Sequence, residues 1–331
     1  RARHHVHRRR PGHRADRRAG VISRDDIEAA AQRIAPHVRR TPLWALRSDE
    51  LGLPGPGFEV WLKLEQLQRS GSFKARGMFN RLLANPIPAA GVIAASGGNA
   101  GIATATAAQA LGVPAEIFVP AVISPAKRDR LEQLGARVVV TGAVYAEAFA
   151  ACQQRQRESG ALMTHAYDQA EVLAGAGTLA REIESQAGVP DALLVSVGGG
   201  GLAGGIAAWF AGRTRMVALE PERAPTLHAA LAAGGPVDVE VSGIAADALG
   251  ARRIGALAWE VAQRHPMSSL VLRDEDIVDA QRWLWQSLKL AVEPAAALPL
   301  AALRSGAWQA QAGQRICLVL CGANVDPASL I

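Results

Sequence analysis

The chain has 331 residues, 49% of them apolar and 20% charged, with no uncharged apolar run of about 18 residues. That balance excludes a disordered chain and a membrane-spanning helix, the 33 glycines follow no collagen-like period, and one large or two medium domains are expected. The net charge of +6 is local: residues 1–20 hold eight arginines against Asp16, while the remainder holds 28 basic and 29 acidic residues, so the body is neutral and a nucleic-acid binder remains an alternative only through the arginine tail.

The first 20 residues, RARHHVHRRRPGHRADRRAG, offer almost nothing apolar to dock on a core and read as a disordered basic tail. They lack the apolar stretch of a signal peptide and the serine-rich amphipathic pattern of a transit peptide. His4, His5, His7 and His13 share no spacing that would fix a metal. Without an initiator methionine, the tail reads as an upstream extension with no role of its own. Three cysteines, Cys152, Cys317 and Cys321, cannot make a disulfide framework and suit a reducing, cytoplasmic setting.

The body begins near Val21. Ser23 followed by Asp25, Asp26 and Ile27 predicts a helix start. GLPGPG (52–57) and the stretch at 234–236 predict loops. From Val60 onward, short β-rich runs alternate with alanine-rich helical stretches. The runs are GVIAAS (91–96), AEIFVP (115–120), ARVVVTG (136–142), ALLVSV (192–197), RMVALE (215–220) and RICLVLCG (315–322). Helical patterns fall at 99–111, 125–134, 144–158 and 201–212. This alternation predicts an α/β fold of open, mostly parallel twisted sheets flanked by crossover helices. Ligands in such sheets sit at the carboxyl ends of strands, so chemistry is expected at strand-to-helix junctions.

Only four lysines occur, Lys63, Lys74, Lys127 and Lys289, against 32 arginines. A chain that uses arginine wherever charge suffices makes the lysine in SGSFKARG (70–77) conspicuous. Lysine can shed its proton and form an imine, and arginine cannot. The bland alternative is a surface lysine at a helix start.

Further on, SGGN (96–99) places small residues and an asparagine at a helix N-terminus, which suits a carboxylate or an ordinary N-cap. SVGGGGLAGG (196–205) presents four successive glycines between strand and helix, an anion cradle suited to phosphate. Gly199, Gly201 and Gly204, with Glu220 about 20 residues on, also fit a dinucleotide fingerprint, so a nicotinamide-dependent oxidoreductase is one alternative. CGAN (321–324) sets a thiol and an amide at the end of the last strand; a buried structural cysteine is equally ordinary there. A phosphate cradle plus an imine-capable lysine is what pyridoxal phosphate requires.

With these motifs in order, the body from TPL (41–43) to the C-terminus resembles the fold-type II pyridoxal-phosphate enzymes, in particular the serine/threonine dehydratase and serine racemase family. The resemblance implies a two-domain α/β fold like the tryptophan synthase β-subunit. Its large cofactor-binding domain would span 21–86 and 168–331, and its small domain 87–167. It implies that Lys74 holds the cofactor as a Schiff base and removes the substrate α-proton, with Phe73 packed near the ring. Asn99 would bond the phenolic oxygen, the amides of Gly198, Gly199, Gly200, Gly201 and Leu202 the phosphate, and Cys321 would face the ring nitrogen. Ser96, Gly97, Gly98, Asn99 and Ala100 would bind the substrate carboxylate, and Tyr145 aligns with a pocket-lining position.

The implied activity is loss of water from a 3-hydroxy amino acid, giving a 2-oxo acid and ammonia, in a homodimer with a small-molecule substrate and no membrane or nucleic-acid partner. A β-replacement enzyme or a racemase of the same fold are alternatives. A thiol rather than a carboxylate at the ring nitrogen favours prompt elimination, and the bound phosphate would protonate the departing hydroxyl. Two departures bear on this. Gly97 stands where related racemases carry a second serine, which counts against racemisation, and Ala100 stands in place of the family's histidine, which widens the pocket. Glu220 and the Ala224 carbonyl would hold a cation. Thr226 replaces a third acidic ligand, which suits a monovalent ion or weakly held magnesium. With the chain ending soon after CGANVD, no C-terminal regulatory domain is expected.

Overall fold

The helix Arg24–Ile34 starts as the sequence predicts. Ser23 Oγ accepts the Asp26 amide at 3.2 Å, and the Asp26 carboxylate accepts the Ser23 amide at 3.0 Å, a reciprocal capping box. Its buried residues, Ile27, Ala30 and Ile34, recur at three- and four-residue spacing. The structure, a computed structural model, describes residues 22–330; the basic tail and its four histidines lie outside the described residues.

Ten strands follow: β1 (Leu43–Arg47), β2 (Glu59–Lys63), β3 (Val92–Ala95), β4 (Ala115–Val119), β5 (Arg137–Val140), β6 (Leu162–Met163), β7 (Ala192–Ser196), β8 (Arg215–Pro221), β9 (Ser268–Leu272) and β10 (Arg315–Val319). They form two sheets. One has six strands in the order β1-β2-β10-β7-β8-β9, and the other has four in the order β5-β4-β3-β6. Every neighbouring pair is parallel except β1 with β2. Leu193, Leu194 and Val195 of β7 are fully buried, as expected of a strand covered by helices on both faces.

Strand order positions the chemistry. β2, β10 and β7 are adjacent and parallel. The lysine segment follows β2, CGAN follows β10 and the glycine run follows β7, so three segments distant in sequence meet at one sheet edge. The SGGN turn follows β3 in the other sheet and leads into the helix Asn99–Leu111.

Five of the six predicted runs extend one to three residues past their strand's end, where the chain turns into these junctions, and RMVALE stops one residue short of β8's end. β1, β2, β6 and β9 are not among the predicted runs. β1 and β9 are outer strands with little buried surface, and β6 has only two residues. Among the described residues no helix is long and apolar enough to cross a membrane, and all three cysteines are free and buried.

Candidate active site

Hydrogen bonds stitch the lysine segment to the end of β10. The Phe73 amide donates to Cys321 O at 3.0 Å, the Ala323 amide to Gly71 O at 2.9 Å and Asn324 Nδ2 to Ser70 O at 2.9 Å. Lys74 opens the helix Lys74–Leu83 directly above CGAN. One cavity there is lined by Phe73, Lys74, Asn99, Gly198, Gly199, Gly200, Gly201, Leu202 and Cys321, together with Tyr167, Ser196 and Glu293. Ser96, Gly97, Gly98 and Ala100 are not among its lining residues; they form the turn beside Asn99. Tyr145 does not reach the cavity and is 52% exposed on the helix Tyr145–Ser159, because helix periodicity turns it toward Phe149 instead.

The glycine run is shaped as an anion cradle. Gly200 has φ 83°, a left-handed turn that favours glycine, and it caps the helix Gly201–Phe210 with no side chain. The amides of Gly198 through Ala203 donate no hydrogen bond to any described residue. A Cβ on Gly199 would stand 2.2 Å from the Tyr167 ring, so only glycine lets the loop pass there. Unpaired amides and a helix dipole together favour a phosphate.

Two lysines are deeply placed, and their partners separate them. Lys63 Nζ, fully buried, donates to Glu182 Oε1 at 2.6 Å, Thr41 O at 2.9 Å and Gln186 Oε1 at 2.9 Å, so all three of its protons are committed. Half-buried Lys74 has a single acceptor among the described residues, Ala166 O at 2.6 Å. Burial pulls its pKa down to about 8, against the opposing pull of Cys321 and Glu293. Its amine is therefore protonated below about pH 8 and free above it. Capture of added pyridoxal phosphate by cofactor-free protein should rise about tenfold per pH unit up to that point and then level off. Glu293→Gln removes a negative neighbour, so the midpoint, read by absorbance, moves to lower pH.

Glu293 corrects the expectation that only a thiol serves this end of the pocket. Its carboxylate lies 4.0 Å from Cys321 Sγ and accepts Asn99 Nδ2 at 2.9 Å on both oxygens. Burial holds its pKa up to about 7, and burial also pushes the Cys321 thiol well above its usual value. The pair thus offers much less negative charge than an exposed carboxylate. Asn99 Oδ1 accepts Asn324 Nδ2 at 2.6 Å, so Asn99 joins the CGAN loop to Glu293. Glu293 went unread in the sequence, although it is the one acid between Lys289 and Arg304.

Glu220, proposed as a cation ligand, is fully buried at the start of the helix Thr226–Ala233. Its carboxylate accepts the amides of Leu227 at 2.7 Å and His228 at 2.8 Å, and burial raises its pKa to about 7. The Ala224 carbonyl accepts the Thr226 amide at 3.2 Å. A cation would have to compete with those donors, and no cluster of three or more His, Cys, Asp or Glu among the described residues could hold a metal. Fully buried, Glu220 presents no exposed oxygen to a ribose. Thr226 Oγ1 lies 3.1 Å from Glu220 Oε1 and 2.5 Å from Gly198 O, which ties the helix start to the glycine run.

A cradle of unpaired amides, an amine with one partner and a phenyl ring (Phe73) 5.0 Å from that amine fit pyridoxal phosphate. Comparison with known proteins agrees. Residues 34–322 match the family model described as "Pyridoxal-phosphate dependent enzyme". The chain is 36% identical to phenylserine dehydratase of Ralstonia pickettii, over 92% of this chain and 94% of that protein. It is 37% identical to the L-threonine ammonia-lyase of Geobacter sulfurreducens, over 91% of this chain and 75% of that one. It superposes on maize serine racemase with a TM-score of 0.86 and 31% identity, covering 94% of this chain and 96% of the other. Motifs, cavity and relatives agree, and the chain belongs to the pyridoxal-phosphate dependent enzymes.

Proposed function

We propose that the protein is a dehydratase that removes water from a 3-hydroxy amino acid and releases a 2-oxo acid and ammonia. The observation that carries this reading is the meeting of Lys74, with its single acceptor, and the unpaired amides of the glycine run in one cavity. Relatives named as a phenylserine dehydratase and an L-threonine ammonia-lyase support the same reaction class.

In this reading the amides of Gly198 to Leu202 hold the cofactor's phosphate, Phe73 packs beside its ring, and Asn99 and Cys321 bond its polar atoms. Once bound, the cofactor supplies an electron sink for the pair left on the substrate α-carbon. Lys74 takes the α-proton; an amine of pKa about 8 is close to the ideal for a base working near neutrality. A protonated Cys321, beside a Glu293 whose pKa near 7 leaves it only part-ionised at neutrality, would give the ring less negative charge than an ordinary carboxylate. That favours prompt loss of the 3-hydroxyl over prolonged storage of the electron pair. The first-turn amides of Asn99, Ala100 and Gly101 donate to no described residue and sit at a helix N-terminus with no side-chain cap, which suits the substrate carboxylate. Gly97 has no proton to give from the opposite face, so racemisation is disfavoured.

The same reading takes 21–86 with 168–331 as the large domain and 87–167 as the small one. It takes the working form as a cytoplasmic homodimer, supported by family resemblance and three free thiols. Purified holoprotein incubated with serine, threonine, 3-hydroxyaspartate and 3-phenylserine should release ammonia and 2-oxo acid in equal amounts from at least one of them. Inverted substrate without ammonia, or a product carrying an added thiol, would contradict the proposal.

A further inference from the structure

We propose that the substrate's 3-substituent is aromatic and is received by an aryl subsite formed by Tyr167 and His165 and continuing into the cleft beside the glycine run. The inference rests on the dehydratase reading and names its substrate class. The chain contains only two tyrosines, and both stand in one row of rings. Tyr145 stacks on Phe149 with centroids 5.9 Å apart, Phe149 meets His165 edge-on at 6.2 Å, and His165 meets Tyr167 edge-on at 4.7 Å. The last two rings of the row flank the residue that Lys74 touches. Lys74 Nζ donates to the carbonyl of Ala166, the residue between His165 and Tyr167, so both rings flank the peptide that Lys74 touches.

Tyr167 lines two neighbouring spaces: the cavity around Lys74 and a cleft of about 290 Å³ lined also by His165, Pro236, Arg253 and Ile254. An apolar cavity of about 150 Å³ is enough for benzene, so a phenyl group fits in volume. The charges near the cleft are already paired. Arg253 Nε donates to Asp238 Oδ1 at 2.8 Å, and the Asp168 carboxylate accepts the amides of Ala256 at 3.1 Å and Leu257 at 3.0 Å. His165 Nδ1 accepts the amides of Tyr167 at 3.3 Å and Asp168 at 3.0 Å, and burial lowers the ring's pKa, so it stands as a neutral ring. An acidic 3-substituent would find no unpaired cation here, a methyl group would leave the space unfilled, and an aromatic ring would find edges and faces to pack on. At Ala100 the neighbouring turn also carries only a methyl group.

The test compares wild-type holoenzyme with Tyr167→Phe and Tyr167→Ala. One arm reads kcat/KM for 3-phenylserine against threonine. The other reads, by calorimetry, the affinity of phenylalanine against alanine, neither of which has a 3-hydroxyl to lose. The wild type should favour the aromatic member of each pair by at least about tenfold, as expected of an apolar pocket reading a ring against a methyl group. Tyr167→Phe should keep both ratios, and Tyr167→Ala should lower both toward one. Threonine turned over as well as 3-phenylserine, with phenylalanine bound no tighter than alanine, would overturn the aryl subsite and leave the dehydratase reading intact. Tighter phenylalanine binding with no ammonia from any 3-hydroxy amino acid would overturn the dehydratase reading and leave the subsite.

Discussion

Lys74→Ala should yield a colourless protein that releases no measurable 2-oxo acid, with turnover lower by at least about 10³-fold. No other lysine can replace it. Lys63 is enclosed by three acceptors. Lys127 pairs with Asp247, and Lys289 bonds Gln286 O at the exposed end of its helix. The loss is chemical rather than structural, because the Lys74 amine contributes one hydrogen bond to the fold. Absorbance of the purified variant, a 2-oxo acid assay and a melting curve close to that of wild type would together establish this. A yellow Lys74→Ala protein, or one that keeps its activity, would remove the amine from the account.

Arg76→Leu should destabilise the cofactor-free protein by about 3–5 kcal/mol, the usual cost of stranding a buried charge. Arg76 sits two residues into the helix that Lys74 opens and is 1% exposed. It donates to Glu65 through Nε at 2.8 Å and Nη2 at 2.7 Å, and to Glu182 Oε2 at 3.1 Å. Burial opposes its charge, but the Glu65 and Glu182 carboxylates outweigh burial and hold the guanidinium ionised. In the variant, fully buried Glu65 keeps only the Thr41 hydroxyl at 2.6 Å. Glu65→Leu added to Arg76→Leu should recover part of the loss, since a stranded charge costs more than an apolar pair. Urea unfolding of the two variants checks both statements. A single variant as stable as wild type would show that the cluster does not hold the helix that carries Lys74.

What could be read from the sequence was local. The capping box at Ser23, the turn-and-helix pattern of the glycine run and the rarity of lysine each lie within a few residues of one another. The parallel α/β architecture was equally legible, since buried strands such as β7 and β10 read as continuous apolar runs. Glu293 and Tyr167 were not legible, because they reach the cavity through tertiary contacts. Glu293 arrives through the hydrogen bond that its amide donates to Gly322 O at 3.0 Å, and Tyr167 through the Ala166 contact with Lys74. Tyr145 shows the converse: the family resemblance aligns it with a pocket-lining position, yet it stands half exposed on its helix. Outer strands β1 and β9 escaped notice because little of their surface is buried.

One amine, Lys74, at the edge where β2, β10 and β7 meet, is expected to carry the cofactor. Borohydride reduction of the yellow holoenzyme, followed by proteolysis and mass spectrometry, tests it most directly. A single modified peptide bearing the phosphopyridoxyl mass on Lys74 is expected. The same mass on Lys63, Lys127 or Lys289, or on no lysine at all, would contradict it.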